Sequence, residues 1–206
     1  MKRIERIVLI TLAAMALSSC SSPKEPASKV SFDDVITSRR SIRSYDPAKT
    51  ITEEEVRALL KATQEAPSWA NQQPTKYYVA IGDEKRQELL GLLGGSNPQK
   101  VKDAPVLIVS TFETGKSGFF RGQAANEIGD GWGAYDNGAS NTYLILCARA
   151  MGFDTLIMGI RDSQAIRQLF NIPDNETVMA VISLGYRAGE PVKPSRRDLD
   201  EIAKFF

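Results

Sequence analysis

The 206-residue sequence has no histidine, and that absence removes a large part of enzyme chemistry. A Ser-His-Asp triad, a Cys-His dyad and every His-containing metal site are excluded. Cysteine is nearly absent as well, with only Cys20 and Cys147. Neither sign of charge dominates: 26 Lys and Arg face 25 Asp and Glu, so nothing points to a nucleic-acid binder. The apolar run Ile7 to Leu17 is about half the roughly 20 residues that a membrane-spanning helix needs. No strand-like segment leads through a glycine-rich loop into a helix, so both the dinucleotide fingerprint and the P-loop are missing. What remains, 42% hydrophobic and 25% charged, is the composition of one ordinary globular domain with a preface.

The preface opens with Lys2, Arg3 and Arg6, continues through Ile7 to Leu17 and ends in Leu17-Ser18-Ser19-Cys20. This is the layout of a secretory signal rather than of a structural helix. Its ending resembles the bacterial lipobox, in which the signal is cleaved before a Cys that becomes the lipidated N-terminus. An ordinary signal peptide with an incidental Cys is the competing reading. The stretch Ser21 to Ser28 is small, polar and Pro-containing, suited to a flexible tether. The expected organisation is a signal peptide over 1–19, a lipidated Cys20 and tether over 20–30, and a single domain over 31–206. The lipobox resemblance implies an exported protein held by its lipid anchor on the periplasmic or cell-surface side of a bacterial membrane. With Cys20 acylated, Cys147 has no intramolecular disulfide partner. It sits in the apolar run Tyr143 to Ala148 and reads as a small core residue.

Along the domain, Ser31 caps a short helix through Ser38 with Phe32, Val35 and Ile36 on one face, and Thr52 with Glu55 forms a capping box for a second helix. Tyr77 to Ile81 reads as a strand, Asp83 to Leu93 as a helix, and Pro105 to Thr111 as a buried, nearly all-apolar strand. From Glu113 to Gly133 five glycines interleave with Phe119, Phe120 and Trp132, an irregular excursion with room for a short helix. The longest helix is expected over about Ala134 to Met151, stopped by Gly152. A strand at Thr155 to Met158, a helix at Ser163 to Phe170 and a strand at Thr177 to Leu184 complete the order. The excursion and the long helix carry more apolar surface than a monomer needs to expose, which suggests a homodimer.

One cluster carries chemistry. Arg39-Arg40-Ser41-Ile42-Arg43 places three guanidiniums and a hydroxyl within five residues, a donor set suited to a phosphate group. It equally suits a solvated basic loop at a helix C-terminus. A second basic cluster, Lys193-Pro194-Ser195-Arg196-Arg197, favours the phosphate reading modestly. Arg39 to Arg43 is followed in order by Ala66-Pro67-Ser68-Trp69-Ala70-Asn71-Gln72-Gln73-Pro74, by Met151-Gly152-Phe153-Asp154-Thr155-Leu156-Ile157-Met158-Gly159 and by Arg196-Arg197-Asp198-Leu199-Asp200-Glu201-Ile202. In this order and spacing the segments resemble the FMN-dependent nitroreductase family, from about Ser31 to the C-terminus. The resemblance implies an α+β fold with a mixed central sheet flanked by helices, a homodimer with two FMN molecules at the interface, and ping-pong hydride chemistry toward a nitroaromatic, quinone or related small-molecule acceptor.

Carried over residue by residue, Arg39, Arg40 and Ser41 match the segment that holds the FMN phosphate and ribityl chain. Arg43 matches the basic residue near the pyrimidine edge of the flavin. Pro67, Ser68 and Asn71 match a loop that reaches the flavin from the partner subunit, Met158 and Gly159 match the strand end whose backbone reaches flavin N5, and Arg196 matches a C-terminal phosphate contact. The resemblance requires no catalytic side chain and no metal, since the flavin carries the chemistry. Two positions depart from the family: Thr75 stands where an aromatic residue is frequent, and Met158 where well-known members carry an acid. Both positions are expected to face or border the open side of the flavin ring. Enzymatic alternatives within the fold are a dehalogenase-type relative, flavin breakdown and oxidation of a peptide ring; from another functional class comes a lipid-anchored flavin-binding electron relay with no small-molecule substrate of its own.

Overall fold

A computed structural model of the chain describes residues 30–206. The signal peptide and Cys20 expectations, and nearly all of the tether, lie outside the described residues.

The core is a four-stranded sheet in the order β1 (Thr75–Ala80), β2 (Val106–Glu113), β6 (Glu176–Gly185), β5 (Asp154–Met158), with every ladder antiparallel. A parallel pairing enters at the β5 edge, where Ser41 bridges Thr155 and the Ile42 N–H donates to the Thr155 carbonyl at 3.0 Å. Among the described residues the sheet is mixed only through this bridge, which attaches the Arg39–Arg43 segment to the sheet. Between β2 and β5, β3 (Phe119–Phe120) and β4 (Gln123–Ala124) form a separate small hairpin.

The central strand β2 shows why helices must cover both faces. From Val106 to Phe112 every residue is buried, and side chains alternate between faces with period two. Leu107 and Val109 join one cluster with Leu89, Leu93, Ile166 and Met158. Val106 and Ile108 join the other with Val56, Leu59, Leu144 and Phe153. The first cluster is roofed by α3 (Asp83–Gly91), α4 (Asn97–Val101) and α6 (Ser163–Phe170), the second by α2 (Glu53–Thr63) and the long α5 (Gly131–Ala150). Each fully buried Leu or Ile contributes about 1.5 to 3 kcal/mol, so this two-sided layering sets the architecture. The fold is α+β, as the family resemblance implies.

Local signals held at most termini. Ser31 caps α1 (Phe32–Ser38) through the Asp34 N–H, the Thr52–Glu55 capping box opens α2, and Gly152 takes φ +88° immediately beyond α5. The excursion differs from expectation: it contains a hairpin, not a helix, because Arg121 and Gly122 both adopt positive φ (51° and 78°), the backbone of a tight two-residue β-turn. Helix α5 begins three residues before the expected Ala134, its glycines tolerated because Gly133 lies against the Phe112 ring, where a Cβ would meet Cδ2 at 2.4 Å. The short α4 is hidden in sequence behind Gly94-Gly95, which reads as a stop. Of the α1 face, Val35 is buried whereas Phe32 and Ile36 are exposed.

Candidate functional site

The site is built where α1 ends. The Arg39 N–H closes the last helical turn on the Val35 carbonyl at 3.0 Å, and Arg39 itself is extended at φ −62°, ψ 132°. Residues 39–44 then run alongside β5 and meet the strand exit after β6, where the Ala188 N–H donates to the Ser44 carbonyl at 3.1 Å and the Asp46 N–H to the Tyr186 carbonyl at 2.9 Å. Tyr45 secures the far end: it is buried, with its hydroxyl 2.7 Å from Ser183 Oγ. Burial holds its phenol proton on well above the usual range.

Arg39, Arg40, Ser41, Arg43 and Arg196 line one open cavity of about 630 Å³, which the 188–194 segment lines on its other side. Among the described residues, none of these four guanidiniums pairs with a carboxylate. Arg40 Nη1 donates to the Arg39 carbonyl at 2.6 Å, Arg43 Nη1 to the Ser41 carbonyl at 3.0 Å, and Arg196 Nη1 to the carbonyls of Pro194 and Ser195 at 3.2 and 3.1 Å. Each guanidinium has five N–H donors, so most remain available. The Arg39 guanidinium is pushed below its ordinary pKa. Burial is the first cause of that shift, and the like charges of Arg196 and Arg40 add to it.

Behind this cluster lies a network that sequence reasoning missed. The Asp154 carboxylate is buried and accepts Arg187 through two bonds, Nε to Oδ2 at 2.8 Å and Nη2 to Oδ1 at 2.6 Å, with Arg149 Nη1 at 3.5 Å. Arg149 Nε donates to Ser38 Oγ at 2.9 Å and Arg187 Nη2 to the Ser38 carbonyl at 3.2 Å. The one available signal was an acid opening an otherwise apolar strand at Phe153-Asp154-Thr155-Leu156, since a buried carboxylate must be paired.

The other predicted residues lie apart within one chain. Pro67, Ser68 and Asn71 belong to a loop around a 3-10 turn (Trp69–Asn71), and Ser68 borders a second concavity of about 570 Å³. Ala70, Asn71 and Gln73 all adopt positive φ (43°, 56° and 48°), a concentration of backbone strain in one loop. The loop is held by the Trp69 N–H donating to Asp136 Oδ2 at 2.9 Å and the Gln73 N–H to Ser68 Oγ at 2.9 Å. Gly159 is exposed at the end of β5, and a Cβ there would meet nothing within 4 Å. Met158 corrects one expectation. Its side chain is 2% exposed in the core with Leu156 and Ile166, because alternation along β5 turns it inward, so the side chain does not border an open ring face. Trp132 is likewise less available than expected, packing 4.8 Å from Trp69, centroid to centroid.

The family model described as the nitroreductase family matches residues 36–186. The chain belongs to the nitroreductase family. A protein of Bacillus subtilis strain 168 provisionally named NAD(P)H nitroreductase YdgI is 27% identical over 203 residues, covering 84% of this chain and 97% of its own. Among solved structures, a nitroreductase family protein from Streptococcus pneumoniae TIGR4 superposes with a TM-score of 0.75 at 23% identity, covering 85% of this chain and 100% of its own. A provisionally named nitroreductase from Exiguobacterium sibiricum 255-15, solved in complex with FMN, gives 0.76 at 21% identity, covering 85% and 97%. The family match ends before Arg196, and the fold returns the tail so that Arg196 lines the Arg39–Arg43 cavity.

Proposed function

We propose that the chain is an FMN-dependent oxidoreductase working as a homodimer, with the Arg39, Arg40, Ser41 and Arg196 cavity holding the flavin phosphate. The observation that carries the reading is the cavity's chemistry: guanidiniums without a carboxylate partner and a hydroxyl converge on one space. A phosphomonoester of roughly −1.5 to −2 charge fits that donor set. Bound FMN supplies hydride and electron transfer to a nitroaromatic, quinone or related acceptor in a ping-pong cycle. The chain's own residues bind and orient. Arg43 is assigned to the pyrimidine edge, where a cation favours the reduced ring, and the Met158–Gly159 backbone to N5. Pro67, Ser68 and Asn71 are assigned to the partner's flavin, which accounts for their separation from the phosphate cavity. Exposed Phe32, Ile36, Tyr135, Leu199, Ile202 and Phe206 provide apolar surface for the dimer.

The purified full chain should show a bound-flavin absorbance spectrum and sediment as a dimer. Anaerobic NADPH should bleach the flavin; bleaching by dithionite alone would replace the NADPH-driven reductase with an electron relay. We also propose that Cys20 is the lipidated N-terminus of an exported, membrane-anchored protein, motivated by the Leu17-Ser18-Ser19-Cys20 ending. Cys20→Ser should abolish fatty-acid labelling and release the protein from the membrane fraction; persistent labelling would remove the anchor.

A further inference from the structure

Arg187 stands at the junction of the paired and unpaired charges. Its Nε and Nη2 engage Asp154, Nη2 also reaches the Ser38 carbonyl, and Nη1 donates to Glu190 Oε2 at 2.9 Å. Glu190 lines the same cavity as Arg39, Arg40 and Arg196, and it is the one carboxylate among the lining residues. Left without Arg187, that carboxylate would be the nearest internal competitor for the guanidiniums that the cavity keeps free. Ser38 is the residue from which Arg39 departs, and both its hydroxyl and its carbonyl are gripped by guanidiniums that share Asp154.

We propose that Arg187, braced by Asp154, is a positioning and selectivity residue for the anion cavity: it fixes the Ser38 carbonyl and holds the Glu190 carboxylate off the unpaired arginines, keeping them open to a phosphate dianion. The inference rests on the phosphate assignment proposed above. Its two parts differ in size. The Asp154 pair is buried and bidentate, so its loss moves the departure point of Arg39 and disturbs several charge-assisted bonds at once. The Glu190 contact is largely exposed, with 86% of that side chain accessible, so its pairing shifts an equilibrium by no more than about fivefold.

The test is fluorescence titration of the flavin-free full chain with FMN and with riboflavin, which lacks the phosphate. Arg187→Met should lower the preference for FMN over riboflavin by about tenfold, the loss of one charge-assisted interaction, with riboflavin affinity nearly unchanged. Adding Glu190→Gln to Arg187→Met should recover a few-fold of that preference, whereas Glu190→Gln alone should change it by less than about twofold. Arg187→Lys keeps the charge without the planar fork; it should reproduce the loss in milder form and provides the same reading if Arg187→Met does not fold. Equal weakening of both flavins, or no recovery on adding Glu190→Gln, would make Arg187 merely structural and overturn the proposal. A parent protein without preference for FMN would instead overturn the phosphate assignment itself.

Discussion

Two groups of arginines lie on either side of Ser38 and meet opposite fates. Arg149 and Arg187 converge on a buried carboxylate and have their charge answered inside the protein. Arg39, Arg40, Arg43 and Arg196 converge on open space, and Arg39 is held below its ordinary pKa by burial and by its neighbours' charge. The first arrangement belongs to the fold, because a buried ion without its partner is severely penalised. The second is a cost that the folded chain carries unless an anion arrives. Segregating the two sets around Ser38 gives the cavity a braced wall and free donors together.

The contrast breaks most visibly at Asp154. Asp154→Asn preserves shape but removes the buried counter-charge shared by Arg149 and Arg187, leaving Arg187 only its exposed Glu190 contact, and it should cost about 3 kcal/mol of folding stability, near the lower end for broken buried pairs because both arginines are partly accessible. Denaturant titration reads this directly; a loss under about 1 kcal/mol would class the network with ordinary surface pairs. A smaller effect should come from Gly185, where a Cβ would meet Tyr45 Cδ1 at 2.6 Å and Pro105 Cδ at 2.8 Å. Gly185→Ala should cost about 1 to 3 kcal/mol through overpacking and, by displacing Tyr45, loosen the far end of the Arg39–Ser44 segment. A thermal midpoint unchanged from the parent would show that this end needs no such anchor.

The parts legible in sequence were those set by local rules. Capping at Ser31 and Thr52, the stop at Gly152 and the apolar run of β2 each follow from a residue and its near neighbours, and the structure reproduces them. The Arg39–Arg43 cluster was legible because its members are adjacent. Asp154 and Arg187 were not, since they are 33 residues apart and their pairing appears only once β5 and β6 lie side by side. The direction of the Met158 side chain was hidden for a related reason: the position was expected to face or border the open side of the ring, and only the strand's alternation turns the side chain into the core. Glycine-rich Gly129 to Gly133 hid the start of α5 because local propensity disfavours a helix there, while packing against Phe112 and Trp69 supports one.

The central claim is that the unpaired arginines await the phosphate of a flavin, and the most direct measurement is the binding of FMN and riboflavin to Arg39→Ala. Removing Arg39 should weaken FMN by roughly ten to a hundredfold, in keeping with the loss of one or two charge-assisted bonds, and leave riboflavin nearly unaffected. Because its guanidinium is destabilised by the fold at every pH below its own lowered pKa, the same substitution should leave stability unchanged or raise it, the reverse of Asp154→Asn. An Arg39→Ala protein that distinguishes the two flavins as well as the parent does would contradict the assignment.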